Sequence, residues 1–398
     1  MLQKLLLLLL LFQHCTCSSQ EYKKLHEKAL VVDTHNDVMI SMLEGLDLAK
    51  DLTGKTHSDL NRFKRGGVDV QIFSIWSDER YEKGKGFIYA NRQIDSLYAL
   101  VQRHPDKIMI VKTPDELNEA VRQQKLGAMM GLEGGHMIED SIEYLNQLYE
   151  RGVRYMTLTW NNSTLWASSA KDEEAASTSG RGRVGAGLTP FGKQVVRRMN
   201  EMGMLVDLSH VGEKTFWDVM AVTTKPVIVS HSNVYTITPH RRNLKDEQIK
   251  AVAKNGGVIH LNFYSGFLDS NYEKRKAIFA AKHASEMDSL KQLKWQSFEI
   301  DILMARRHPA DMQALRPPLS ALLDHLDYIA KLVGVNHVGL GSDFDGVEST
   351  PLQLDDVADM PNITKALLER GYKKRDIKKI LGGNFLRIFR AAQANISN

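Results

Sequence analysis

The sequence predicts a closed (β/α)8 TIM-type barrel, parallel strands ringed by helices, and three observations predict it. Eight short apolar runs alternate with helix-forming text, a helix–glycine–strand unit recurs along the chain, and five of the eight runs end in His, Asp or Glu. Alternating strand and helix makes neighbouring strands parallel, and eight such units suggest closure. Runs that are apolar on both faces are what a sheet covered by helices requires.

The expected strands are residues 30–33, 68–73, 128–132, 155–158, 205–208, 227–230, 258–262 and 337–340. Before several of them a helix stops at a glycine and the strand begins at once, as at Gly66, Gly152, Gly203, Gly256 and Gly334. Glycine suits that stop because it alone enters the left-handed region without steric cost. The helix before the fifth strand shows the logic in full. Thr189 can cap it, Pro190 sits where its missing N–H costs nothing, Val195, Val196 and Met199 recur at helical spacing, and Gly203 ends it. A ninth apolar run at 108–111 keeps a doubly wound open sheet as the alternative. Residues 266–318 are long for a barrel connection and carry helix-like text, so they are expected to form a helical insertion between strand 7 and the helix that follows it.

Composition narrows the functional class. Over 398 residues, 43% are hydrophobic, 25% are charged, and the net charge is only +4. No basic run interleaved with aromatics is present, which excludes a nucleic-acid partner on composition. Residues 1–19 read as a signal peptide: Lys4, an apolar run over 5–12, then a small-residue exit. That run is too short to cross a bilayer, and no later stretch reaches the length a spanning helix needs. The two cysteines, Cys15 and Cys17, fall in the cleavage zone, so either a lipoprotein signal or simple secretion is expected. The folded part, 20–398, is then a single exported domain without disulfides.

In parallel α/β folds, functional side chains gather beyond the C-terminal strand ends. Here those ends read Thr34-His35-Asn36-Asp37, Glu133-Gly134-Gly135-His136, Ser209-His210, Ser230-His231 and Ser342-Asp343-Phe344-Asp345. Such groups packed at one rim would repel or stay desolvated without a cation, so they predict a metal site. Mixed nitrogen and oxygen ligands suit zinc, with manganese or cobalt as substitutes. His35 and Asp37, two apart in extended chain, project to the same side. His57, His104, His240, His260, His308, His325 and His337 are expected to be structural.

These stretches resemble the membrane (renal) dipeptidase family, a zinc-dependent branch of the amidohydrolase superfamily. The resemblance rests on Val-Val-Asp-Thr-His35-Asn-Asp37, Gly-Leu-Glu133-Gly-Gly, Val-Asp-Leu-Ser-His210, Val-Ser-His231-Ser-Asn, Arg241-Arg242-Asn243 and Gly-Ser-Asp343-Phe-Asp345-Gly, in that order. It implies His35 and Asp37 as ligands of a first zinc ion, His210 and His231 as ligands of a second, and Glu133 as the bridge. It further implies Asp343 as the catalytic carboxylate and Arg242 as the group that binds the substrate's terminal carboxylate, and Asp345 is expected to be structural, either supporting the ligands from behind or fixing a loop. The implied reaction is hydrolysis of dipeptides through a water shared by the two metals.

The chain departs from the mammalian members of that family in four respects. They carry a histidine where this sequence has Trp160, and they have structural cysteines, a C-terminal anchor signal and no counterpart of 266–318. A bacterial-type member in the periplasm or cell envelope, with or without a lipid anchor, accounts for all four. Two competing readings keep parts of the picture: an amidohydrolase acting on another small amide, lactam or ester, and a non-catalytic peptide-binding envelope lipoprotein. The sequence also leaves a homodimer open.

Overall fold

The computed structural model describes residues 20–81, 84–179 and 187–394. The expected signal peptide, with Cys15 and Cys17, lies outside them. In chain order the strands are β1 (Val32–Asn36), β2 (Val70–Trp76), β3 (Ile108–Ile110), β4 (Leu126–Glu133), β5 (Val153–Thr157), β6 (Leu205–Asp207), β7 (Ile228–Val229), β8 (Val258–Leu261) and β9 (Val338–Leu340). All pairings between them are parallel, in the order β1-β2-β4-β5-β6-β7-β8-β9. A bridge between Asn36 and Phe344 returns the last strand to the first, through Asp37 N–H to the Phe344 carbonyl at 2.9 Å and Asp343 N–H to the His35 carbonyl at 3.1 Å. The result is a nearly closed eight-stranded barrel, which excludes the open doubly wound sheet.

The ninth apolar run does form a strand, but off the barrel path. β3 pairs only with the beginning of β4, from Leu126 to Ala128, whereas β5 joins β4 from Met130 onward. It therefore covers an edge that β5 leaves free. One glycine expectation also needs correction. In the first unit Gly66 has φ −74° and continues the helix, and Gly67 at φ +62° makes the left-handed turn. At Gly203 the expectation matches, with φ +74° after a helix (Pro190–Met202) whose N-cap Thr189 accepts from the Gly192 amide.

Inside the barrel, Val32, Val70, Met129, Leu205, Ile228 and Val258 pack with Phe385, Ile388 and Phe389 of the C-terminal helix Asn384–Gln393. That apolar floor leaves the other end to polar side chains. Outside, the larger core lies between the strands and their helices.

Residues beyond β8 form helices Ser265–Leu268, Tyr272–Lys282, Ala284–Gln292, Ser297–Arg307 and Pro309–Gln313 before the chain rejoins the barrel through Leu319–Val333. They have their own small core of Tyr272, Phe279, Leu290, Ile300, Met304 and Met312. Polar contacts tie this unit to the rim, where Lys276 Nζ donates to Glu348 at 2.6 Å and Arg80 reaches Glu299 at 2.7 Å, while within the unit Lys276 also donates to Asp301 at 2.8 Å. Among the described residues no helix is long and apolar enough to cross a membrane.

Candidate metal centre and active site

Strand periodicity delivers the central group. Positions 129, 131 and 133 of β4 share one face, so Glu133 stands in the mouth above the apolar floor. Gly131 is required below it, because a Cβ there would lie 2.0 Å from the ring of Tyr155. The space lets Tyr155 lie across the lumen and reach His35. In β1 the register shifts between Asp33 and Asn36. Such an irregularity breaks strict alternation and brings His35 into the lumen beside Thr34.

The five predicted ligands converge. His35 Nε2 lies 3.5 Å from Asp37 Oδ2 and 3.3 Å from Glu133 Oε2. On the other side, Glu133 Oε1 lies 2.9 Å from His210 Nε2 and 3.4 Å from His231 Nε2, and those two nitrogens are 3.0 Å apart. One carboxylate thus turns one oxygen to a His–Asp pair and the other to a His–His pair. Asp343 offers its carboxylate beside His35 and Asp37, with ligand atoms within 4.8 Å of each other.

Hydrogen bonds set two of the imidazole tautomers. The Tyr155 hydroxyl donates to the Thr34 carbonyl at 3.0 Å, so at 2.9 Å from His35 Nδ1 it must accept. Ser230 Oγ donates to Asp207 Oδ2 at 2.6 Å, and therefore accepts from His231 Nδ1 at 2.8 Å. Both rings therefore carry a proton on Nδ1, which leaves Nε2, the nitrogen nearest Glu133, as the atom that can bind a metal once it is deprotonated. Asp207 is itself held, accepting from Thr157 Oγ1 at 2.5 Å and from the Ser209 and Ser230 amides at 3.0 and 2.9 Å. Outer partners of this kind orient metal-binding imidazoles.

The electrostatics ask for a cation. Burial pushes His210 down to about 3, helped by the Arg242 charge, and holds His231 well below the ordinary imidazole value, so both rings are neutral. Burial also opposes charge on His35, yet Tyr155, Glu133 and Asp37 together pull it well above the ordinary value. Burial works against ionised Glu133, but His35, His210 and His231 outweigh it and keep that carboxyl well below the usual range. Buried Asp37 Oδ1 and His210 Nδ1 have no hydrogen-bond partner. Acceptor atoms packed this closely are stable together only around positive charge. Donors around one ion at zinc-type bond lengths sit about 3–3.5 Å apart. The residues present fit bound metal.

Two site residues occupy strained backbone. His210 has φ +63° and Asp343 φ +62°, a region costly for residues other than glycine and tolerated where surrounding structure fixes it. Asn262 Nδ2 donates to Asp343 Oδ2 at 2.7 Å. Burial, and then the neighbouring Asp37 charge, raise Asp343 well above the ordinary carboxyl value.

Arg242 is not a surface ion pair. It is 5% exposed, donates weakly to Ser232 Oγ and the His231 carbonyl at 3.3 Å each, and leaves Nε without a partner. Its guanidinium borders the same cavity as Asp37, Glu133, His210 and Asp343. Asp345 stands apart from the ligands. It accepts from the His57 amide at 2.6 Å, its own amide donates to His57 Nδ1 at 2.9 Å, and so it pins a loop.

Sequence reasoning passed over Tyr155, Asp207, Ser230 and Asn262. Asp207 stood in the Val-Asp-Leu-Ser-His stretch, where its position inside a strand was the available signal. His260 and His325 are structural, bonded at Nδ1 to the Val229 carbonyl and the Val234 amide. His308 belongs to a second cluster in the insertion, with His283 and Asp311.

Comparison with known proteins gives concordant findings. The membrane dipeptidase family (peptidase family M19) matches residues 19–398. An uncharacterised dipeptidase of Schizosaccharomyces pombe is 31% identical, over 94% of this chain and 83% of its own. Among solved structures, the probable dipeptidase PvdM of Pseudomonas aeruginosa is similar in fold, with TM-score 0.76 at 24% identity over 95% of this chain and 99% of that one. A metallopeptidase of Rhodobacter sphaeroides, liganded with a phosphinate mimic of the dipeptide L-Ala-D-Ala, gives TM-score 0.73 at 22% identity over 92% and 99%.

Proposed function

Because the chain belongs to the membrane dipeptidase family and is a metal-dependent dipeptidase, we propose that it cleaves dipeptides at a pair of zinc ions bridged by Glu133. His35 and Asp37 would complete one site, and His210 and His231 the other. The observation that carries this reading is the division of Glu133, with Oε2 towards His35 and Oε1 towards His210 and His231. When bound, the ions lower the pKa of a shared water and polarise the scissile carbonyl.

The chain's own groups do the rest. Asn262 occupies Asp343 Oδ2, which leaves Oδ1 to accept the attacking water's proton. The same carboxyl then hands that proton to the nitrogen of the departing residue, as general base and then general acid. Arg242, which borders the cavity and whose two contacts are long, at 3.3 Å each, would clamp the terminal carboxylate in the fork geometry that guanidinium offers. A clamp near the reacting carbonyl leaves room for one residue on the leaving side, which makes a dipeptidase. Export through residues 1–19, to periplasm or cell envelope with or without acylation of Cys15 or Cys17, belongs to the same proposal. The mass and N-terminus of the mature protein decide it.

The catalytic test is hydrolysis of an L-L, L-D and D-D dipeptide panel by wild type and Asp343→Asn, with bound metal counted in both. The variant is expected to keep its metal and lose about 10²–10⁴-fold in kcat, the usual worth of a positioned general acid–base. A variant that turns over like wild type would remove Asp343 from the mechanism. A wild type that holds two metals yet cleaves no dipeptide would move the substrate to another amide.

A further inference from the structure

We infer that the insertion contributes Phe298 to an aromatic subsite with Trp76 and Trp160, which makes bulky apolar dipeptides the preferred substrates. The inference rests on the dipeptidase reading above and concerns what that site accepts.

Each ring reaches the corner by a separate route. Trp76 ends β2, directly opposite Glu133 in the strand register. Trp160 follows β5, and its ring centroid lies 6.4 Å from that of His210. Phe298 comes from the insertion helix Ser297–Arg307, far from both in sequence. The three rings meet edge to face, with centroids 5.0 Å apart for Trp76 and Trp160, 5.5 Å for Trp76 and Phe298, and 6.3 Å for Trp160 and Phe298. All three are half-buried and border the cavity that holds Glu133, His210 and Asp343. Edge-to-face packing fixes the three rings relative to one another, and each keeps part of its surface exposed.

Phe298 is held in place from both sides. The next residue, Glu299, accepts from Arg80, whose Nε is in turn bound to Asp78 at 2.7 Å. Glu299 also closes the helix start by accepting from the Gln296 amide at 2.7 Å. Beyond it, Asp301 accepts from Lys276. A wall fixed by ion pairs to two elements is pre-formed, which is what specificity requires. The cavity, at about 1280 Å³, exceeds the roughly 300–1,000 Å³ of an ordinary small-molecule site. A small dipeptide would therefore leave the aromatic corner wet, and a bulky apolar side chain would fill it.

The test measures kcat/KM for Phe-Ala, Ala-Phe and Ala-Ala with wild type, Phe298→Ala, Phe298→Leu and the control Ile278→Ala. Ile278 is 71% exposed on the insertion and does not border the cavity. Phosphinate mimics of the same three dipeptides provide Kd values alongside. Wild type is expected to prefer one of the Phe substrates over Ala-Ala by tenfold or more. Phe298→Ala should collapse that ratio about tenfold, Phe298→Leu should keep most of it, and Ile278→Ala should keep all of it. Parallel loss on all three substrates, or an unchanged ratio in Phe298→Ala, would overturn the inference and leave the dipeptidase reading standing. If wild type cleaves none of them, that reading fails, and the Kd ratios alone decide the subsite by the same criterion.

Discussion

The chain builds two clusters of histidine and carboxylate, and they are opposites. At the barrel mouth, His35, Asp37, Glu133, His210 and His231 turn acceptor atoms towards each other with no lysine or arginine ion-paired to any of them among the described residues. In the insertion, His283 and His308 stack at 3.8 Å, and each bonds a carboxylate at 2.8 Å, Asp311 and Glu286 respectively. There each carboxylate already has a cation: Lys282 lies 2.7 Å from Asp311, and Arg307 is 2.5 Å from Glu286. The lesson is that histidine and acid in proximity do not define a metal site. What matters is whether the protein has supplied the positive charge itself. The insertion has done so, with half-exposed groups free to rearrange, and the barrel mouth has left that charge to be bound.

The contrast breaks most visibly at the bridge. Glu133→Gln keeps the shape of the barrel site but removes the carboxylate that, among the described residues, faces both the His35 side and the His210–His231 side. It is expected to lose bound metal and activity together, by more than the ~10–100-fold that an outer partner costs. Metal analysis beside dipeptide turnover checks this, and full retention of the bound metal would sink the proposed bridging role. Acid should act in the same direction on the wild type, since imidazole and carboxylate ligands must be deprotonated to bind.

One layer out, the expected effect is smaller. Asp207 fixes the Ser230 hydroxyl, which fixes the proton on His231 Nδ1. Asp207→Asn places a donor where only acceptors stood and releases that tautomer. Metal affinity should fall by about 10–100-fold, while kcat at saturating metal falls less. Competition against a chelator of known affinity measures the first, and an unchanged affinity would mean that the Asp207–Ser230 relay is only structural.

These layers also explain what was readable from sequence. His35, Asp37, Glu133, His210 and His231 were legible because strand ends in a parallel barrel face one rim, so position along the chain nearly determines position in space. Asp343 was legible through the same rule and through resemblance, and Arg242 through resemblance alone. Tyr155 was not, because an aromatic inside an apolar strand looks like core until Gly131 on the neighbouring strand is seen to make room for it. Trp76 stood at a strand end, but a search for ionisable groups passes over an indole. Phe298 could not be singled out, since nothing in its own helix marks which side chain of the insertion meets the mouth. The ninth strand confused the count for a physical reason: β3 has the composition of a barrel strand and pairs like one, but only along the stretch of β4 that β5 does not reach.

The smallest effects belong to the insertion cluster, and there the comparison is sharpest. His283→Gln and His308→Gln are expected to leave the bound-metal count and dipeptide turnover as in wild type. A fall of one metal per chain would make the two clusters alike and undo the distinction. The thermal midpoint should move by no more than about 2–4 °C, since half-exposed ion pairs contribute little. The pH dependence has a definite sign. His308 and Arg307 hold Glu286 below the ordinary carboxyl value, and Lys282 and His283 do the same for Asp311. A carboxyl depressed in the folded state stabilises it above the unfolded pKa, and that stability is lost as pH falls through the folded one. Asp311→Asn should therefore differ from wild type near neutrality and converge with it in acid. Melting curves from pH 7 down to the acid range check this, and a difference that grows on acidification would show that the cluster is not held by these ion pairs.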